Sequence, residues 1–194
     1  MIPWEGNDLI VGCLLGDGRL ECRSKKGTAR FRVHQADSQK DYTYFKWNLL
    51  KEICSQKPKQ VTSFHKKYQK TITSWFFNTK TTKQLGLLQK LFYRGNRKIV
   101  PRNLGKMLTA KSLAFWVMDD GCFDDNTLIL NTQNFSFNKQ RILQKVLFEN
   151  FGLKSGINRD RSNFRLRIAK ESFSSLVQTI EPYIIPSMKY KLSP

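Results

Sequence analysis

The sequence is poor in the residues on which many enzymes are built. It has two histidines, His34 and His65, in 194 residues. A histidine-metal nuclease site or a Ser-His-Asp triad therefore has little material to work with. Its four cysteines, Cys13, Cys22, Cys54 and Cys122, show no CxxC spacing, which argues against a structural zinc site and a disulfide framework. No run of 18 apolar residues is present, so no segment reads as a membrane span. The N-terminus lacks a basic stretch followed by an apolar core and a small-residue cleavage site. The reading at this point is a soluble protein without an export signal.

Acid is the scarcest charge. Asp and Glu number 15 against 34 Lys and Arg, a formal net charge of +19. A folded chain with that imbalance is expected to bind a polyanion in a salt-sensitive way, and nucleic acid leads. A basic membrane-binding helix is the rival, but the positive residues fall in strands and loops as often as on helices. A hydrophobic content of 40% with 12% aromatics is enough for a packed core and argues against disorder.

Two of the few acids occupy a repeated setting. Leu9-Ile10-Val11-Gly12-Cys13-Leu14-Leu15-Gly16-Asp17-Gly18 and Leu113-Ala114-Phe115-Trp116-Val117-Met118-Asp119-Asp120-Gly121 are apolar stretches that run into a carboxylate and then glycine. Each reads as a mostly buried helix closed by a left-handed glycine. A carboxylate at a helix C-terminus is disfavoured by about 0.3–1 kcal/mol, because the macrodipole there is negative. Gly12 and Gly16 share one helix face, each costing about 1 kcal/mol against alanine; close approach of a second helix would offset that. Aligning the two stretches on their acids puts Ala114 opposite Val11, Phe115 opposite Gly12 and Asp119 opposite Gly16. Asp17 and Asp120 then face each other, and a divalent cation is the simplest group to offset both penalties.

Other features recur in the same order. A strand pattern ends in glutamine at 29–35 and again at 128–133, and Lys-x-x-Pro follows at Lys98-Ile99-Val100-Pro101 and Lys191-Leu192-Ser193-Pro194. The spacing between copies shrinks steadily from the acids (17 and 120) through the glutamines (35 and 133) to the lysines (98 and 191). That is the behaviour of a domain-sized duplication whose second copy has shorter loops. The first copy is predicted as a motif helix, a hairpin over 18–35 turning near 24–27, a helix over 40–57, a hairpin over 61–78 and a helix over 82–93. The second repeats this with a strand ending at Gln133, helices over 138–151 and 171–180, and a hairpin over 156–168. The halves are placed at 1–94 and 110–194, with 95–109 as a basic linker carrying Pro101.

Two predicted strands alternate basic and apolar residues. In Arg30-Phe31-Arg32-Val33-His34 and Asn163-Phe164-Arg165-Leu166-Arg167-Ile168, the period of two sends Phe31, Val33, Phe164, Leu166 and Ile168 to a core. Arg30, Arg32, His34, Asn163, Arg165 and Arg167 then line an open face. Arginine matches guanine edges and phosphates bidentately, and a β-ribbon fits the major groove.

With motifs, duplication and basic strands together, the chain resembles the LAGLIDADG homing endonucleases, in particular their monomeric two-motif branch. Ser112 to Gly121 matches the second-motif form of that branch, as do Leu130-Asn131-Thr132-Gln133 and Tyr190-Lys191-Leu192. The first motif departs from consensus at Leu15, where an earlier acid is usual, and at Cys13, where leucine is usual. The resemblance implies an α+β fold of two pseudo-symmetric αββαββα halves, with motif helices packed at the interface and antiparallel sheets forming a DNA saddle. It implies Mg²⁺-dependent cleavage of both strands of a long pseudo-palindromic site, leaving 3′ overhangs, with Mn²⁺ able to substitute and Ca²⁺ supporting binding without cleavage. Asp17 and Asp120, with Gly16 and Asp119, would form the metal site. Gln35 and Gln133 would order water there, and Lys98 and Lys191 would stand near the scissile phosphates. The DNA-contacting set would include Arg19, Arg23, Lys70, Thr73, Asn131, Arg159 and Arg161 beside the strand residues above. The expected partner is double-stranded DNA bound by a monomer, with no membrane and no obligate protein partner, and the expected origin is an organellar intron. The alternatives are an RNA maturase that assists intron splicing and a cleavage-inactive DNA-binding relative.

Overall fold

The computed structural model describes residues 6–22 and 27–193. Two helices with matching surfaces organise it: α1 (Asn7–Leu15) and α4 (Ala110–Asp120), which pack along their lengths. From Leu9 to Leu15 and from Leu113 to Met118 every residue is buried. Polar bonds join them at the start. Asp8 Oδ1 accepts the Thr109 hydroxyl at 2.8 Å and the Ser112 hydroxyl at 3.2 Å, while Thr109 caps α4 by accepting Ser112 N–H at 3.1 Å. A Cβ on Gly12 would stand 2.2 Å from the Ser112 carbonyl oxygen and 2.7 Å from Phe115 Cβ; one on Gly16 would stand 2.5 Å from Asp119 Cβ. Glycine opposite Phe115 and Asp119 is thus what lets the two backbones meet. The left-handed closure expected of the motif glycines does not occur. Gly16 and Gly121 have φ of −103° and −69°, and Gly18 is also outside the positive-φ set. Space rather than backbone handedness accounts for them: a Cβ on Gly18 would lie 2.8 Å from Cys13 Cβ and from the Phe31 ring, and one on Gly121 2.5 Å from the Val117 carbonyl oxygen.

Each motif helix leads into the same arrangement. The first half continues with β1 (Arg19–Glu21), β2 (Arg30–Ala36), α2 (Lys40–Leu50), β3 (Lys59–His65), β4 (Lys70–Asn78) and α3 (Lys83–Phe92). The second continues with β7 (Gly121–Phe123), β8 (Leu128–Leu130), α5 (Phe137–Phe151), β9 (Ser155–Asp160), β10 (Asn163–Ile168) and α6 (Lys170–Ile180). Between them, β5 (Tyr93–Arg94) and β6 (Arg97–Lys98) form a small hairpin around Gly95, whose φ of +58° suits a residue without a Cβ. The sheets are antiparallel with equivalent strand orders, β1-β2-β4-β3 and β7-β8-β10-β9. Helix α2 packs on β2 and β4, and α5 on β9 and β10; in β2 and β10 the basic positions are more exposed than the apolar residues Phe31, Val33, Leu166 and Ile168 that alternate with them. Among the described residues, no helix is long and apolar enough to cross a membrane.

Two elements differ from the sequence expectation. Helix α2 stops at Leu50, not 57, and a 3₁₀ turn and a bridge at Cys54 follow. Pro58 biases the residue before it to extended backbone, so the chain turns into β3 instead of prolonging the helix. Strand β8 ends at Leu130, three residues short of Gln133. Thr132 replaces the lost strand pairing with its side chain, its hydroxyl oxygen accepting Leu166 N–H at 3.0 Å. The turn predicted near 24–27 falls mostly outside the described residues, as does Arg23.

Candidate active site and nucleic-acid face

The seam ends in a cluster of charges. Asp120 closes α4 and Asp17 lies two residues past α1. Burial, then the charges of Asp17 and Asp119, push the Asp120 carboxyl up to about 8, against the pull of Lys98 and Lys191. Desolvation, then the Asp119 charge, raises the Asp17 carboxyl too. Both predicted lysines reach this place. Lys98 Nζ donates to the Gly16 carbonyl at 2.5 Å, and Lys191 Nζ to the Gly121 carbonyl at 2.8 Å. Burial lowers the Lys98 pKa, with the carboxylates of Asp119, Asp120 and Asp17 pulling the other way.

The two glutamines part company. Gln35, on β2 and nearly buried, donates to Asp17 Oδ2 at 3.4 Å. Gln133 donates to Asp160 Oδ2 at 2.8 Å and to Asn131 Oδ1 at 3.4 Å, and no bond joins it to Asp120. Asn131 itself stays close, its backbone N–H donating to the Asp120 carbonyl at 3.1 Å.

Asp119, expected with Gly16 in the metal site, turns its side chain inward, which leaves it, like Gly16, only a backbone carbonyl to offer there. Its carboxylate does not join the outward acids as a metal ligand: it is wholly buried, paired with Lys46 Nζ at 2.6 Å and accepting Tyr42 Oη at 3.0 Å. Burial alone would lower the Lys46 pKa, but the Asp119 charge overrides it and raises it. Lys46 and Tyr42 were not among the sequence candidates. Their signal was the stripe Tyr42, Lys46, Leu50 on α2, in which a lysine holds a core position at i+4 spacing. Among the described residues no three His, Cys, Asp or Glu side chains form a ready cation cage. The donor set at the seam is instead two carboxylates, Asp17 and Asp120.

Strand parity sorts the expected DNA-contacting residues. On the first sheet Arg19, Arg30, Arg32, His34 and Lys70 share the face opposite α2. Lys59 and Phe76, which the sequence reading missed, share it as well; Arg32 lies over the Phe76 ring at 5.3 Å. Thr73 has the other parity and sits on the helix side, which corrects its assignment. Arg30 is on the open face but committed to Glu21 through bonds of 2.9 and 2.6 Å. Glu21 also lies 3.2 Å from Arg19 and 3.8 Å from Arg32. Burial would raise its pKa, but Arg30 and the neighbouring arginines bring it below the usual range. His34 bonds Ser74 Oγ at 2.8 Å, and burial followed by Arg32 lowers its pKa.

On the second sheet Asn163, Arg165 and Arg167 share the open face. Arg159 pairs with Phe164 and so has the opposite parity, a second correction, and Arg161 occupies the turn with φ of +55°. Arg167 is held by Asp124 at 2.7 Å.

The model of the LAGLIDADG DNA endonuclease family matches residues 7–176. The DNA endonuclease I-ChuI of Chlamydomonas applanata is 29% identical over 203 residues, covering 96% of this chain and 93% of that protein. The cytochrome b mRNA maturase bI2 of Saccharomyces cerevisiae is 32% identical over 195 residues, but there the alignment covers 95% of this chain and only 46% of the relative. The solved homing endonuclease I-WcaI, bound to its DNA recognition sequence, has the same fold, with a TM-score of 0.91, 24% identity and coverage of 97% of this chain and 85% of that one. A duplicated helix-and-sheet half, two acids at the end of a glycine-lined seam and a family match across most of the sequence lead to one assignment: the chain belongs to the LAGLIDADG DNA endonuclease family.

Proposed function

We propose that this chain is a site-specific DNA endonuclease that cuts both strands of a long duplex site and leaves 3′ overhangs. The observation that carries the reading is the pairing at the seam: two carboxylates, each beside a carbonyl held by a lysine, Asp17 with Lys98 and Asp120 with Lys191. The DNA-bound I-WcaI structure and the endonuclease I-ChuI support it.

The donor set suits Mg²⁺, a hard cation held by one or two carboxylates and completed by water and substrate phosphate. Asp17 and Asp120 would hold it, and it would neutralise phosphate charge and supply an activated water. Mn²⁺ is expected to substitute, and Ca²⁺ to support binding alone. Gln35 orients groups beside Asp17 without adding charge. Lys98 and Lys191 place ammonium groups where negative charge develops at phosphorus, and their carbonyl bonds fix them there in advance. The open sheet faces, with Arg32, His34, Lys70, Asn163 and Arg165, read the duplex. We assign the two half-sites to residues 1–94 and 110–194 of one monomer, with 95–109 joining them, and an organellar intron as the origin, consistent with the maturase relative.

The test is incubation of the purified protein with a randomised duplex library and Mg²⁺, followed by sequencing of the cut ends. One long pseudo-palindromic site with staggered ends is expected. Full cleavage by Asp17→Asn or Asp120→Asn would overturn the reading. The 32% identity to a maturase favours a second reading, an RNA-binding splicing helper. Tighter binding to a structured intron RNA than to any duplex, with no cutting in Mg²⁺, would select it.

A further inference from the structure

Asp119 adjoins Asp120 in sequence, yet its side chain crosses the seam toward α1. It passes over Gly16, where an added Cβ would lie 2.5 Å from Asp119 Cβ and 3.0 Å from Oδ2. There Oδ2 accepts the backbone N–H of Asp17 at 3.1 Å. The other oxygen, Oδ1, accepts Lys46 Nζ at 2.6 Å and Tyr42 Oη at 3.0 Å, and both Lys46 and Asp119 side chains are 0% exposed. Tyr42 is anchored a second time on the Phe115 carbonyl at 3.3 Å, and Lys46 Nζ lies 3.9 Å from the centre of its ring.

Asp17 needs such a tie. It follows the end of α1, where the amides of Gly16 and Gly18 return to the Cys13 carbonyl, while its own amide is held from the other half of the molecule. Asp120 needs none, because it is still part of α4 and its carbonyl is taken by Asn131 N–H. The residue equivalent to Asp119 in the first motif is Gly16, which has no side chain to reciprocate. The clamp is one-sided.

We propose that Asp119 is a positioning residue for Asp17: its carboxylate fixes the Asp17 main chain across the seam and so aims the Asp17 side chain, while Lys46 and Tyr42 hold Asp119 in place. The proposal rests on the nuclease reading for its functional consequence, but not for its geometry. Breaking the buried pair from one side would confound the result with unfolding, so the test uses two double variants without a buried charge. Asp119→Asn/Lys46→Met keeps an oxygen acceptor for the Asp17 amide. Asp119→Leu/Lys46→Met removes it. Both are first compared for thermal midpoint and, once the library has yielded a cut site, for Kd on it.

Asp17 amide hydrogen exchange and single-turnover cleavage in Mg²⁺ are then measured. The Leu/Met variant is expected to lose protection at Asp17 and to cleave at least about tenfold more slowly, since small misplacements of a reacting group are costly. The Asn/Met variant should retain Asp17 protection and cleave within a few fold of the unaltered chain. Equal exchange and equal rates in the two variants would overturn the proposal, whatever their common level. Should the unaltered chain cut no duplex, the exchange difference still decides whether Asp119 fixes Asp17, and the failure belongs to the nuclease reading.

Discussion

The two halves share a topology and divide the chemistry unequally. In the first, a buried lysine on α2 reaches across the seam to Asp119, and Gln35 stands on its strand beside Asp17. In the second, the matching helix α5 carries a neutral amide instead. Gln140 Nε2 donates to the carbonyls of Thr132 at 3.1 Å, Phe135 at 3.3 Å and Phe164, and its Oε1 accepts the Thr132 hydroxyl at 3.0 Å. Duplication has preserved the frame, which depends on apolar periodicity, while the buried polar group under each sheet has diverged. One half uses a charge pair that crosses to the other motif helix. The other uses a network closed within its own half, which holds the loop that replaces the end of β8.

Removing either outward acid should give the largest effect. Asp17→Asn and Asp120→Asn are each expected to bring cleavage to background while DNA binding persists, as followed by strand-resolved gels and a binding titration. If only one strand survives in each variant, the two half-sites act separately; if both strands fail together, they share a centre.

Next in size is the contrast between the two buried groups. Lys46→Met leaves Asp119 charged, buried and unpaired, which should cost about 3–5 kcal/mol. Gln140→Leu leaves carbonyls without donors but no stranded charge, and should cost about 1–3 kcal/mol. Urea unfolding of the two variants checks the order, and a larger loss at Gln140 would reverse the comparison.

A pH titration sharpens it further. The Asp120 carboxyl sits at about 8 against an ordinary value of 3.8. Between those values the folded chain holds a proton that the unfolded chain has released, so metal-free stability should fall as pH rises through the window. Asp120→Asn should flatten that decline in thermal midpoint measured with a chelator present. An unchanged slope would mean that Asp120 ionises normally.

How much of this was legible in the sequence follows from what repeats. The seam and the order of elements were readable because apolar period and spacing recur in both copies, whereas the expectation that Lys98 and Lys191 stand near the motif ends came from the family resemblance. Three things were not. Thr73 and Arg159 were placed by residue type, but the face of a strand is set by register, and one step of parity sends a side chain to the opposite side. Gln133 was read by analogy with Gln35, although the β8 strand ends before it. Asp119 was read with its outward neighbour, because its inward partner Lys46 is 73 positions away and reveals itself only as a lysine on a core stripe.

The smallest expected effect concerns the open faces. Glu21 stands among Arg19, Arg30 and Arg32, holding Arg30 by two bonds, whereas Arg165 on the second sheet has no ion pair among the described residues. A guanidinium already neutralised releases fewer counterions when it meets phosphate. Arg165→Ala is therefore expected to reduce the slope of log affinity against log salt by up to about 1, and Arg30→Ala by less. Glu21→Gln should steepen the slope by freeing its arginines and should tighten non-specific duplex binding more than binding to the selected site. Equal slopes for Arg30→Ala and Arg165→Ala would show that the acid on the first sheet yields its arginines to DNA on contact. The contrast between the two faces would then belong to the free protein alone.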